Sequence, residues 1–342
     1  MQHEILTAAP LLNQKGDLAE PGWARSLLPV YCRDEIKAGK LRIKEWDYYL
    51  ITDGHIGLAL TIADNGYMGL DSISFLHFDE GWEQTKSPMR LFPRGKTGLP
   101  ETSVDGASEI ARGGYAMAFY HEDDARCLTF HMDNFRGKDA IEGIVRLTDE
   151  PRESIVIATP FEKPKHFYYN QKINCLRAEG WIELGEQRFE LTPDRFFAVL
   201  DWGRGVWTYR NTWYWGSASG LLDGVPFGWN IGYGFGNTAA ASENALFYDG
   251  VLHKLSQVTF EIPQKDSKFD YLAPWKFTSD DNRFYMDFTP VLDRSACMNA
   301  GVLKSDQHQV FGRFTGRVTL DDGTVLPVRD FFGFAERVEN KW

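Results

Sequence analysis

Apolar and polar residues alternate in short runs along the whole chain, and turn-forming dipeptides separate the runs. HIGLALTIADNGYMGLDSISFLHF (55–78) sets Asn65-Gly66 between two apolar runs. That dipeptide favours a two-residue hairpin, because both central residues must take positive φ. YAMAFYHEDDARCLTFHM (115–132) repeats the form around His121 to Ala125. Further turns fall at Gly185-Glu186, Asp249-Gly250, Asp280 to Asn282 and Asp322-Gly323. These signals predict an all-β protein of antiparallel strands. Helical periodicity is scarce. Residues 17–28 and 192–199 are predicted as short helices, the second opened by Thr192-Pro193-Asp194 as a cap with Pro in the first turn. No period of 20–50 residues recurs, which excludes a propeller or solenoid. Residues 81–114, rich in Gly, Pro and charge, read as a long excursion between strands, a lid or edge loop. Residues 151–167 read as a passage between layers. So many strands over this length suggest two lipocalin-like β-barrels or sandwiches side by side, 1–203 and 204–342.

Two neighbouring segments carry an unusual pattern. WTYRNTWYWGSASG (207–220), extended, puts Trp207, Tyr209, Asn211, Trp213 and Trp215 on one face and Thr208, Arg210, Thr212 and Tyr214 on the other. In PFGWNIGYGFGN (226–237), Phe227, Trp229, Ile231, Tyr233 and Phe235 share one side. Gly228, Asn230, Gly232, Gly234 and Gly236 share the other. Gly in a strand costs roughly 0.5–1 kcal/mol relative to Ala. It often marks a bend or the close approach of a backbone or ligand. Two readings follow: a smooth floor for a flat ligand with Asn230 rising from it, or a barrel bend that gives bulky rings room.

Composition narrows the class. Aromatics make up 14% of 342 residues and glycines number 32, which fits strands, tight turns and broad flat surfaces. The formal net charge of −11 repels nucleic acid and anionic membranes, so neither is an expected partner. No run approaches the roughly 20 apolar residues of a membrane-spanning helix. MQHEILTAAPLLNQKGD lacks the basic and apolar regions of a secretory signal. Cys32, Cys127, Cys175 and Cys297 lie far apart with no CxxC pair, as expected for reduced thiols in a cytoplasmic protein.

Familiar catalytic motifs are missing: no GxSxG, no HExxH, no phosphate-binding loop. The histidines are scattered without an i, i+4 pair, so neither a metal nor another cofactor is expected. The candidates for proton transfer are Asp201, which ends the apolar run FFAVLD, Glu243 among small and apolar residues, and His308 in SDQHQVFGRF. Arg210, Asn211, Trp213, Trp215, Asn230 and Tyr233 are the candidate ligand-binding residues.

YRNTWYWGSASG, FGWNIGYGFGNTAAASENALFYDG, PWKFTSDDNRFYMDFTPVLDR, QHQVFGRFTG and the closing DFFGFAERVENKW resemble the family called domain of unknown function 2804. More distantly, GWIELGEQRFELTPDRFFAVLDWG and GRVTLDDGTVLPVRDFFGFAERV are similar to the lipocalin-like superfamily of carotenoid 1,2-hydratases and AttH-type proteins. That resemblance implies two β-barrel-like domains with a pocket at or between them. It also implies apolar substrates, often isoprenoid or polyketide, handled by acid chemistry or by shaping alone. Asp201 is the residue whose position matches that pattern.

The expected function is thus a cofactor-independent enzyme acting on an apolar or amphipathic small molecule. A buried carboxylic acid, Asp201 or Glu243, would drive hydration, isomerisation or cyclisation, with Tyr233 or His308 relaying the proton. A lipid-like ligand carrier is the alternative, and carbohydrate chemistry with Trp213 and Trp215 as stacking platforms is a further one.

Overall fold

The computed structural model describes residues 2–300 and 303–341. Two large sheets hold most of the strands among the described residues, and the ladders of both are antiparallel; two small two-stranded sheets flank them. The first has fourteen strands. Its main path runs Trp82–Lys86, Met68–His77, Ile56–Asp64, Ile43–Thr52, Phe197–Val206, Phe167–Leu184, Asp139–Thr148, Ala125–Arg136, Tyr115–Glu122 and Ala107–Arg112. The second has nine strands: Val251–Lys254, Ala245–Tyr248, Val225–Tyr233, Arg210–Leu222, Val325–Lys341, Leu303–Thr319, Phe284–Ala300, Trp275–Ser279 and Val258–Glu261. The chain passes from one sheet to the other between Val206 and Arg210.

Each predicted turn falls between paired strands. Asp53-Gly54 and Asp223-Gly224 join two further hairpins, each with its glycine at φ 84°. The two predicted helices do not form. Gly22–Ala24 within 17–28 is a strand paired with Ile155–Pro160. Thr192 closes a single turn by accepting from the amides of Arg195 and Phe196, at 3.0 and 2.9 Å. The following residues then enter the Phe197–Val206 strand. Ladders run along both of its sides and take up its backbone groups, so the helical turn is not continued. Among the described residues the helical elements are 3-10 turns at Arg33–Glu35 and Lys40–Arg42. No helix there is long and apolar enough to cross a membrane.

The 81–114 excursion is not a free loop. It contributes strands Trp82–Lys86, Met89–Leu91 and Ala107–Arg112. Its middle turns inward, where Leu99 joins the core of the first sheet. The Pro100 carbonyl accepts from Arg204 Nε and Nη2 at 3.2 and 2.7 Å, and the Ser103 carbonyl accepts from Arg126 Nη1 at 2.6 Å. Buried cations thus find acceptors in this segment's own backbone.

Three apolar clusters result. Tyr49, Ile51, Leu58, Leu60, Ile173 and Leu200 fill the inside of the first sheet. Trp229, Ile231, Phe277, Phe288 and Phe314 fill the second. The third cluster lies between the sheets and includes Tyr48, Leu50, Tyr168, Trp207, Trp215, Phe311 and Phe334. Strand alternation explains the division. In Ile43–Thr52, Tyr49 and Ile51 face the first core, whereas Tyr48 and Leu50 face the second sheet. Both faces of this part of the sheet are covered, so polar side chains pointing at the partner sheet are buried with it.

Candidate functional site

The site begins with a cross-strand pair. Lys172 of Phe167–Leu184 lies directly opposite Asp201 of Phe197–Val206. Both side chains share the parity that points at the second sheet. Lys172 Nζ meets Asp201 Oδ1 at 2.8 Å, and Asn170 Nδ2 donates to the same oxygen at 2.6 Å. Just beyond, the register slips between Ile173 and Leu176, and Cys175 takes φ 63°. This bulge turns Asn174 into the second sheet, where its amide donates to Ser217 Oγ at 2.8 Å and Trp229 O at 3.1 Å. The sheets are therefore tied together next to the charged pair.

A cavity of about 540 Å³ opens between the sheets. Its inner wall is aromatic: Trp46, Tyr48, Tyr168, Trp207, Trp213, Trp215 and Phe235. Trp46 stacks on Tyr168 at 5.9 Å, Tyr168 on Phe235 at 5.1 Å, and Trp207 meets Trp213 edge-on at 5.4 Å. Gly203 makes room for this layer, since a Cβ there would collide with the Trp46 indole. Lys172, Asp201 and Glu336 reach the same space. The outer wall carries Thr61, Ser72, Ser74, Thr85 and Ser87 from the first sheet and Arg294, Ser305 and Gln307 from the second. Exposed Ser87 and Met89 mark the mouth, and buried Trp207, Trp215 and Lys172 mark the depth.

Lys172 is 1% exposed and sits within a ring of partners. Its ammonium lies 4.1 Å above the Trp215 ring and 3.8 Å from Glu243 Oε2. Glu243 stands behind it, outside the cavity lining, fully enclosed. Neither of its oxygens has a hydrogen-bond partner among the described residues. Burial pushes its carboxyl up to about 7, with the Lys172 charge opposing and Asp201 adding to the rise. Glu336 faces the cavity. Trp213 Nε1 donates to its Oε1 at 2.9 Å and Gln309 Nε2 to its Oε2 at 3.3 Å. Burial pushes this carboxyl up to about 7 as well, although the Trp213 bond and the Arg294 and Lys172 charges oppose it. Burial, with Asp201, Glu243 and Glu336 nearby, also holds the Tyr168 phenol well above its ordinary range.

The structure brings together Asp201, Trp213 and Trp215 at the cavity, with Glu243 one layer behind. Asn230 is also behind the wall. It accepts from Trp215 Nε1 at 2.7 Å and donates to the Glu243 carbonyl at 3.1 Å, so it fixes both residues. Other candidates fall elsewhere. Arg210 is exposed at the start of its strand, and Asn211 closes a turn onto Thr208 O at 2.8 Å. Tyr233 stacks on Tyr214 at 4.5 Å beside the second core. His308 lies between cavity-lining Gln307 and Gln309, and alternation therefore turns it to the opposite face of the sheet. There its Nδ1 meets Asp293 Oδ2 at 2.7 Å. Neither Tyr233 nor His308, the expected proton relays, is among the residues that line this cavity. The glycine row is not a ligand floor either. A Cβ on Gly228 would meet the Ala218 carbonyl and Cys175 Sγ, and one on Gly232 would meet Glu243 Oε1 at 2.7 Å. The protein's own bulge and acid occupy that surface. Sequence reasoning missed Lys172 and Glu336. The available signal was parity: Glu336 shares a face with Phe334, and Lys172 with Tyr168.

The family model described as Domain of unknown function (DUF2804) matches residues 2–342. By sequence, no curated protein matches the chain. Among solved structures, an AttH-type protein of Nitrosomonas europaea is similar at a TM-score of 0.56 and 13% identity, covering 96% of this chain and 98% of that one. Kievitone hydratase of Nectria haematococca is similar at a TM-score of 0.48 and 8% identity, covering 98% of both chains. The first of these places the chain in the same two-sheet fold.

Proposed function

The chain belongs to the family described as domain of unknown function DUF2804. That description names no reaction, so we propose one from the site itself: cofactor-independent acid–base catalysis on an apolar or amphipathic small molecule held between the two sheets. The observation that carries this reading is the placement of two carboxyls, Asp201 and Glu336, around Lys172 in one aromatic-walled cavity.

The roles follow from the environments. Glu336 retains its proton to about pH 7 and is the donor. Asp201, ion-paired with Lys172, is the acceptor. In a hydration, the Glu336 proton forms a new C–H bond with one alkene carbon as the π pair is consumed. The other carbon becomes cationic, and the faces of Trp46, Trp213 or Phe235 stabilise it by up to about 2 kcal/mol when desolvated. Water then adds to that carbon and Asp201 takes its proton. In an isomerisation, Asp201 instead removes a proton from the neighbouring carbon. Both routes end with the proton on Asp201, and its return to Glu336 closes the cycle. Glu243 touches no substrate in this scheme. It acts through Lys172 as a positioning residue, and Asn230 acts through Trp215.

The test works whichever alkene is the natural substrate. The protein is incubated in D2O with hydrophobic extracts and a panel of alkenes and polyenes, and the small molecules are read by mass spectrometry. Solvent deuterium incorporated at carbon by the wild type is the expected result. Glu336→Gln and Asp201→Asn should each lower its rate by about 10²–10⁴-fold, the usual contribution of a positioned acid or base. A molecule that co-purifies but never exchanges, in wild type and variants alike, would favour a carrier instead.

A further inference from the structure

The hairpin formed by Phe284–Ala300 and Leu303–Thr319 has two faces. Arg294 and Gln307 look into the cavity, and the opposite face gathers Asp293, Asp306 and His308 beside Cys297, which is exposed and also touches the cavity's rim. We propose that this outer face binds a divalent transition-metal ion, best fitted by Zn2+, through Cys297 Sγ, an Asp306 carboxylate oxygen and His308 Nε2. This inference is independent of the acid–base reading of the cavity.

The strand geometry builds the site. Asp306 and His308 are two apart on one strand and so share a face. Cys297 lies directly opposite Asp306 on the other strand. The three ligand atoms all fall within 4.8 Å of one another. Cys297 Sγ is 3.1 Å from Asp306 Oδ1, and His308 Nε2 is 3.5 Å from the same oxygen. Zn2+ bonds sulfur at about 2.3 Å and nitrogen or oxygen at about 2.0–2.2 Å, so tetrahedral ligands lie roughly 3–4 Å apart. The two separations at Asp306 match that spacing, and the third closes to it with a small rotation of the exposed Cys297 side chain.

The imidazole is also prepared for the role. Asp293 Oδ2 engages Nδ1 at 2.7 Å, which places the proton there and leaves the Nε2 lone pair facing Cys297 and Asp306. A carboxylate on the far nitrogen is the usual outer support of a metal-bound histidine. Tyr271 stacks on the ring at 3.8 Å and 14°, which fixes its plane. The neighbouring cations have other anions: Lys304 and Arg337 both reach Glu339, at 3.3 and 3.5 Å. Binding exchanges the Cys297 thiol proton, released to solvent, for the ion, and a fourth position stays open to water.

The experiment uses the full-length protein, reduced and stripped with chelator, then titrated with Zn2+ by calorimetry and with Co2+ by absorption. One Zn2+ per chain is expected, and Co2+ should produce a thiolate charge-transfer band in the near ultraviolet. Cys297→Ser should abolish that band and lower Zn2+ affinity at least 100-fold. Cys297 is exposed, so this variant keeps its fold, as a melting curve in chelator would verify. Asp293→Asn removes no ligand and should weaken Zn2+ by about 10–100-fold while the Co2+ band persists. The proposal is overturned if Zn2+ fails to saturate at one per chain, if no thiolate band forms, or if Cys297→Ser leaves affinity unchanged.

Discussion

Lys172 and Asp201 face each other across two strands, and a second acid, Glu243, is closed in behind them with neither oxygen hydrogen-bonded among the described residues. An acid in that position weakens the fold as it ionises. Glu243 and Glu336 each hold their proton to about pH 7 when folded, against an ordinary value of 4.5. Between those values the folded chain binds more protons than the unfolded one, so unfolding free energy falls as pH rises through the interval and levels off above it. Each acid accounts for up to about 3 kcal/mol of that fall, at 1.36 kcal/mol per pH unit. Glu243→Gln and Glu336→Gln are therefore predicted to match the wild type near pH 4.5 and to exceed it in stability at pH 8, as urea titrations would measure. A wild-type curve that stays parallel to both variants would refute the assignment. Asn230→Ala should cost about 1–3 kcal/mol, because it strands the buried Trp215 N–H. Asp201, Trp213 and Trp215 were legible in the sequence, since an acid ending an apolar run and a ring at every second position are local signals. Glu336 and Lys172 were not. In AERVEN and NQKINC they stand among polar neighbours, and only the facing sheet, the first for Glu336 and the second for Lys172, makes them interior.

Turn chemistry made the strands legible, because Asn-Gly and Asp-Gly act within a few residues. Which face a strand turns toward the cavity depends on the sheet opposite, and there the local reading separated. It gave the rings and glycines of Val225–Tyr233 their correct opposite faces, but not what covers the glycines. Gly228→Ala tests that covering. Its methyl would be driven against the Ala218 carbonyl and Cys175, which is predicted to cost about 1–3 kcal/mol, readable as a lower urea midpoint with unchanged slope. A neutral effect would mean that the bulge at Cys175 yields easily.

The two halves of the molecule share a third apolar cluster, and neither sheet can bury its side of that cluster alone. A chain ending at Val206 is predicted to expose Tyr48, Leu50 and Tyr168, to bind the dye ANS and to aggregate at concentrations where the full chain stays monodisperse. A well-behaved fragment that ignores the dye would show that the first sheet is self-sufficient. The cavity between the halves changes character along its length, with indoles and phenols inside and serine and threonine hydroxyls toward the opening. That gradient gives the passage a direction. A guest settles with its greasiest part innermost, and any step that plants a hydroxyl there leaves the guest mismatched with its surroundings and drawn toward the opening. Exit would then be driven by the reaction itself, with no moving gate required.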